Sequence, residues 1–104
     1  GRDGQAPDWA RIVGLYDRAQ TGGDLDATVN LANLYFNGRG VPRDTSRALI
    51  LLRRAMDEEF PRAFRRMGYA YERGEGVPRD MNLAEEHYIR AADNGLSSAA
   101  NDLG

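Results

Sequence analysis

Gly38-Arg39-Gly40-Val41-Pro42-Arg43-Asp44 decides the fold, because it returns 36 residues later as Gly74-Glu75-Gly76-Val77-Pro78-Arg79-Asp80. Recurrence at a fixed spacing of this length marks a stack of supersecondary units. Laying residues 27–68 over 63–104 gives 14 identities in 42 pairs, with Ala27, Tyr35, Ala48, Arg54, Ala55, Asp57, Ala63 and Gly68 matching beyond the motif itself. A weaker copy lies upstream: Asp8, Tyr16, Ala19, Gly23 and Ala27 match Asp80, Tyr88, Ala91, Gly95 and Ala99 across two periods. Within the motif, the first glycine suits the left-handed residue that ends a helix. The second permits a further turn, the valine fills the space between helices, and proline cannot continue a helix. Asp44 and Asp80 then cap the next helix, as Asp8 does for the first.

Helical periodicity surrounds the motif. Ala27, Leu31, Leu34 and Tyr35 fall on one face at i, i+4, i+7 and i+8, and Ala63, Met67, Ala70 and Tyr71 repeat the pattern. Ala48, Leu51, Leu52, Ala55 and Met56 form a second stripe, matched by Ala84, His87, Tyr88, Ala91 and Ala92, and earlier by Ile12, Leu15, Tyr16 and Ala19. The spacing predicts helices over about 9–21, 27–37, 45–58, 63–73 and 81–93, closed at Gly22-Gly23 and Asn94-Gly95, with a sixth from near 98. The predicted fold is therefore all-α: one solenoid domain of antiparallel helix pairs. Residues 9–21 are the second helix of a partial repeat, 27–60 and 63–96 are complete repeats, and 98–104 open a further one. Residues 1–7 read as a loose leader, and a pattern that starts and stops inside a unit suits a segment of a longer array.

Composition excludes several kinds of chemistry. Fourteen basic residues, all arginine, stand against 16 acidic ones, for a net charge of −2, which argues against a nucleic-acid binder working by bulk charge. The absence of Cys removes disulfides and thiolate chemistry, and a lone His cannot build a multi-histidine metal site. No cofactor is expected. The longest apolar run, Ala48-Leu49-Ile50-Leu51-Leu52, is too short to span a bilayer, so no membrane insertion by this segment is expected. Gly38-Arg39-Gly40 and Gly74-Glu75-Gly76 are not phosphate loops: they follow a helix and lack the Lys-Ser/Thr of that motif.

Ala-x-x-x-Leu-Ala/Gly-x-x-Tyr, Gly-x-Gly-Val-x-x-Asp and Ala-x-x-x-x-x-x-Ala-Ala-x-x-Gly together resemble the Sel1-like repeat, a relative of the tetratricopeptide repeat. The copy from Ala63 to Gly95 fits best. Ala32 departs from the usual Gly, Leu52 and Met56 replace an aromatic and an alanine, and Glu59 stands where a helix-ending Gly is expected, so that helix should run on toward Phe60 and Pro61. The resemblance implies a right-handed superhelix that assembles complexes and catalyses nothing. For bacterial members it implies roles in signalling, polarity or envelope and export assemblies, and hence a periplasmic or envelope location.

Solenoids of this kind bind on the concave face, lined by the first helix of each pair. With Leu31, Ala32 and Tyr35 packing inward, the open positions are Asp26, Val29, Asn30, Asn33 and Phe36, then Arg62, Arg65, Arg66, Tyr69, Glu72 and Arg73, then Ser98, Asn101 and Asp102. Arg beside Tyr is the pairing enriched at binding hot spots, so Val29, Asn33, Phe36, Arg62, Arg65, Arg66, Tyr69 and Arg73 form the candidate partner-binding set. A plain solvated helix face competes with that reading. Phe36 aligns with Glu72, so the repeat does not require its ring, which is free to anchor a partner. Residues 39–66 hold 8 Arg and 4 acids, while residues 1–38 hold 3 and 5 and residues 67–104 hold 3 and 7. A basic middle between acidic flanks suits an acidic peptide or protein partner, or weak end-to-end stacking of copies. The alternative is a glycan or polysaccharide stacking on Tyr69 and Phe36. His87, at the place of Leu15 and Leu51, reads as a packing residue, and Trp9 as a cover for the end of the stack.

Overall fold

The computed structural model describes the backbone of residues 7–103 and the side chains of residues 7–94. The leader before Pro7, the side chains of Ser98, Asn101 and Asp102, and Gly104 lie outside the described residues. Five helices follow in order: α1 (Trp9–Thr21), α2 (Leu25–Asn37), α3 (Thr45–Asp57), α4 (Pro61–Arg73) and α5 (Met81–Leu103). Asp8, Asp44 and Asp80 cap α1, α3 and α5 as the motif predicts, each accepting from the backbone N–H three residues on at 3.0–3.1 Å. Asp24 does the same for α2 through Ala27 N–H at 3.0 Å, so α2 starts two residues ahead of the predicted boundary. Pro61 opens α4 at a position where its missing N–H is harmless.

Two predicted boundaries are corrected. α3 does not run on toward Phe60; it ends at Asp57, and Glu59 itself takes the left-handed conformation at φ 58°. The cause is Pro61, which disfavours helical backbone in the residue before it, and Phe60 is extended at φ −80°, ψ 114°. The second correction concerns Gly95: α5 passes straight through Asn94-Gly95, where a break and a separate helix from 98 were predicted. Glycine permits a left-handed turn without imposing one. Gly38 and Gly74 lead into a second glycine two residues on and then Val-Pro, a run that cannot continue a helix, whereas Gly95 is followed by Leu96-Ser97-Ser98-Ala99-Ala100, which can.

The two joints share one hydrogen-bond scheme. Gly38 and Gly74 are left-handed (φ 68° and 71°), and their N–H groups return to Leu34 and Ala70 carbonyls. The motif arginine, to which the sequence assigned no role, closes the helix end: Arg43 Nε donates to the Phe36 carbonyl at 3.1 Å and Arg79 Nε to that of Glu72 at 3.0 Å. Asp44 and Asp80 N–H groups reach back to Tyr35 and Tyr71 carbonyls. The second glycine has a larger part than an extra turn. A Cβ at Gly40 would stand 2.5 Å from the Trp9 carbonyl oxygen and 2.8 Å from Val13 Cγ2, and one at Gly76 2.8 Å from Thr45 Cβ and 3.1 Å from Leu49 Cδ1. Trp9 and Val13 stand one period before Thr45 and Leu49, so each joint docks a bare Cα onto the first turn of the preceding repeat's second helix.

Packing between the helices builds one continuous core. Ala32, Ala48, Leu52, Ala55, Ala63, Met67 and Ala70 are all at most 1% exposed. Each helix packs on its neighbour in sequence, and α2 also meets α4, whereas α1 and α3, and α3 and α5, make no such contact among the described residues. The first helices of the repeats thus approach while the second ones splay, which curves the stack and makes α2 and α4 its inner wall. The radius of gyration, 15.0 Å, exceeds the roughly 13 Å of a globular chain this long. The repeat departures compensate one another. Tyr88 lies over Gly68, 2.9 Å from where a Cβ would be; one period earlier Ala32 takes the glycine's place and the smaller Leu52 the tyrosine's.

Candidate protein-binding cleft

Polar residues Asp26, Asn30 and Asn33 recur along α2 at i, i+4 and i+7, facing Arg62 and Arg66 at i and i+4 on α4. Arg62 Nη1 donates to Asp26 Oδ1 at 3.0 Å and to the Asp26 carbonyl at 3.3 Å, and Nη2 donates to Asn30 Oδ1 at 2.7 Å. Arg66 is tied more fully. Its Nε donates to Asn33 Oδ1, its Nη2 to Glu75 Oε1 at 2.9 Å, and its guanidinium lies 4.1 Å from the centre of the Phe36 ring and 5.0 Å from that of Tyr69. Nη1 of Arg66 is buried without a hydrogen-bond acceptor. Cation–π contact with two rings offsets part of that cost, at about 0.5–2 kcal/mol per ring.

Arg65 differs from both. It is exposed and makes no hydrogen bond or ion pair among the described residues. Tyr69 stands one turn on, 41% exposed, with Arg73 5.2 Å from its ring centre. Tyr88, arriving from α5, donates its hydroxyl to Glu72 Oε1 at 2.6 Å. Burial, with the Glu72 hydrogen bond and charge, pushes that phenol up to about 12, so it stays protonated at neutral pH. Val29, Asn33, Arg62, Arg65, Arg66, Tyr69 and Tyr88 together enclose an open cleft of about 410 Å³. A second hollow of about 620 Å³ adjoins it between α4 and α5, sharing Arg62, Arg65 and Tyr88 and floored by Phe60, Pro61, Ala91 and Ala92.

Six of the eight candidate residues therefore line one cleft: Val29, Asn33, Arg62, Arg65, Arg66 and Tyr69. Arg73 stands beside it, against Tyr69. Phe36 is a correction: at 2% exposure it is a core residue roofed by Arg66 and cannot anchor a partner. Val29, at 1%, is the floor of the cleft and offers almost no surface. Tyr88 was missed because its stripe reads as pure packing; the signal was its pairing with Gly68, which brings a large ring to the edge of α4. His87 is half-buried, with Nδ1 2.8 Å from the Leu83 carbonyl and its ring 5.2 Å from that of Tyr71. Since a carbonyl only accepts, Nδ1 carries the proton. Trp9 meets the Arg39 guanidinium 5.0 Å above its ring, at the joint its backbone supports.

Curved helical pairs with a polar inner cleft define an α-solenoid interaction module. The comparisons with known proteins agree. The family model for the Sel1 repeat matches residues 25–58 and 61–96, and the chain belongs to the Sel1 repeat family. Sel1 repeats are generally protein–protein interaction modules. The fold is similar to a protective antigen of uropathogenic Escherichia coli with an SLR fold, at 35% identity and a TM-score of 0.75, over 85% of this chain and 19% of that one. It is also similar to a Sel1 repeat protein from Oxalobacter formigenes, at 33% identity and a TM-score of 0.71, over 79% of this chain and 63% of that one. The chain thus spans about a fifth of the first protein's length and under two thirds of the second's. No curated protein sequence matches it. No helix among the described residues is long and apolar enough to cross a membrane.

Proposed function

We propose that the α2–α4 inner face binds a peptide or a helix of a partner protein, and that the chain serves as a non-catalytic adaptor within a bacterial signalling, polarity or envelope assembly. One observation carries this reading: Arg65 is the arginine left unpaired in a cleft whose other two are already fixed by Asp26, Asn30, Asn33 and Glu75. Fixed arginines shape the wall without motion, and a free one beside Tyr69 supplies the attraction. The setting proposed with this reading is the periplasm or cell envelope, as the family resemblance implies for bacterial members. The glycan alternative keeps Tyr69 alone as a stacking surface, because Phe36 is covered.

Affinity capture with the native chain and with Arg65→Ala/Tyr69→Ala tests the face. Both positions are exposed, so the fold is retained, and the double variant should lose the partner. Unchanged recovery would overturn the choice of face. Salt separates the alternatives: arginine–carboxylate recognition weakens from low to high ionic strength, and stacking on a neutral glycan does not.

A further inference from the structure

The cleft's charge account narrows the ligand. Arg62 faces Asp26 and Arg66 faces Glu75, so each carries its counter-charge within the protein. At the wall the two spaces share, the charge left for a ligand is that of Arg65, one carboxylate's worth; Arg73, against Tyr69, stands outside both linings. The adjoining hollow has the opposite character. Phe60, Pro61, Ala91 and Ala92 give it an apolar floor, where small side chains on α5 leave room. Both spaces open on Arg65 and Tyr88, so a ligand seated in one reaches the other.

Resting on the inner-face reading above, we infer that the ligand is an acidic peptide segment with an apolar side chain within a few residues of its carboxylate. The carboxylate meets the Arg65 guanidinium, and the apolar side chain enters the hollow between α4 and α5. Charge complementarity selects the acidic residue. The hollow selects its neighbour at its floor: Asp26, Arg62, Arg65 and Tyr88 line the rest of it, but an apolar side chain against Phe60, Pro61, Ala91 and Ala92 leaves water. The half-buried Tyr88 already donates its hydroxyl proton to Glu72 and offers the ligand its ring.

Panning random-sequence displayed peptides on the chain tests this, followed by fluorescence polarisation of enriched peptides. Each is compared with a version whose acids are changed to amides and a version whose apolar residue is changed to serine. The protein variants are Arg65→Ala and Ala92→Gln, both at exposed positions, with helicity checked by circular dichroism. The expected result is enrichment of acidic-plus-apolar sequences. Arg65→Ala and the amide peptide should each weaken binding about tenfold, with no further loss when combined. Ala92→Gln should weaken only peptides that keep the apolar residue. Acidic peptides indifferent to both the serine change and Ala92→Gln would overturn the two-subsite ligand and leave the inner face standing. Peptides indifferent to Arg65→Ala and Tyr69→Ala as well would overturn both. If no sequence is enriched, the peptide inference is overturned, and the capture experiment then decides the face alone.

Discussion

Alanine at Gly74 and alanine at Gly76 look equivalent in the sequence, and the structure separates them. Both glycines are left-handed, at φ 71° and 75°, and an L side chain there costs about 1–2 kcal/mol. At Gly74 the added Cβ finds its nearest neighbour, Arg79 Cβ, at 3.4 Å, an ordinary contact. At Gly76 it meets Thr45 Cβ at 2.8 Å, Thr45 Oγ1 at 3.0 Å and Leu49 Cδ1 at 3.1 Å, and forcing such contacts apart costs a further ~1–3 kcal/mol. Gly74→Ala should thus cost about 1–2 kcal/mol and Gly76→Ala about 2–5 kcal/mol. Urea unfolding followed by far-ultraviolet circular dichroism reads the difference. With a slope of about 1–2 kcal/mol per molar urea, a 2 kcal/mol gap separates the midpoints by about 1–2 M. Coincident midpoints would refute the claim that the second glycine joins one repeat to the previous one.

Three further outcomes follow from particular contacts. Glu59→Gly should be about 1 kcal/mol more stable than Glu59→Ala in the same urea experiment, because both lose the exposed 3.5 Å pair with Arg90 and only glycine relieves the left-handed backbone. Gly68→Ala should destabilise by about 1–3 kcal/mol through the collision with Tyr88 and the close Ala84 carbonyl, and Gly68→Ala/Tyr88→Leu, which reproduces the Ala32 and Leu52 pair, should recover the Tyr88 part of that loss in a double-mutant cycle. The Tyr88 phenol is raised from 10.0 to about 12 in the folded chain. Its contribution to stability is therefore full below pH 10 and is lost as pH rises through 12. Tyr88→Phe should flatten that part of the stability–pH curve.

The repeat spacing carried most of the fold, because each joint joins glycine, proline and a capping aspartate in an order that only a helix end and a helix start explain together. Its failures have local causes. Glu59 shows that proline two residues on can halt a helix without glycine's help, and Gly95 shows that glycine without proline does not. Gly14 has nothing within 4 Å of an added Cβ, and nothing in the packing explains it. For the cleft, the alignment of α2 with α4 named the arginines and the Tyr69 that the fold brings to its lining. It did not show which were spent on Asp26, Asn30, Asn33 and Glu75, because those pairings join residues 9 to 36 positions apart. Phe36 was misplaced for the same reason: its cover, Arg66, comes from the next repeat.

The proposed recognition surface is the inner wall formed by α2 and α4. Nuclear magnetic resonance shift mapping of the isotope-labelled chain, titrated with a captured partner or an enriched peptide, addresses it most directly. The largest changes are expected at Asn33, Arg62, Arg65, Tyr69 and Tyr88, with little at Leu15, Ile50 or Arg53 on α1 and α3. Changes centred on those outer-helix residues, with Arg65 and Tyr69 unmoved, would contradict this proposal.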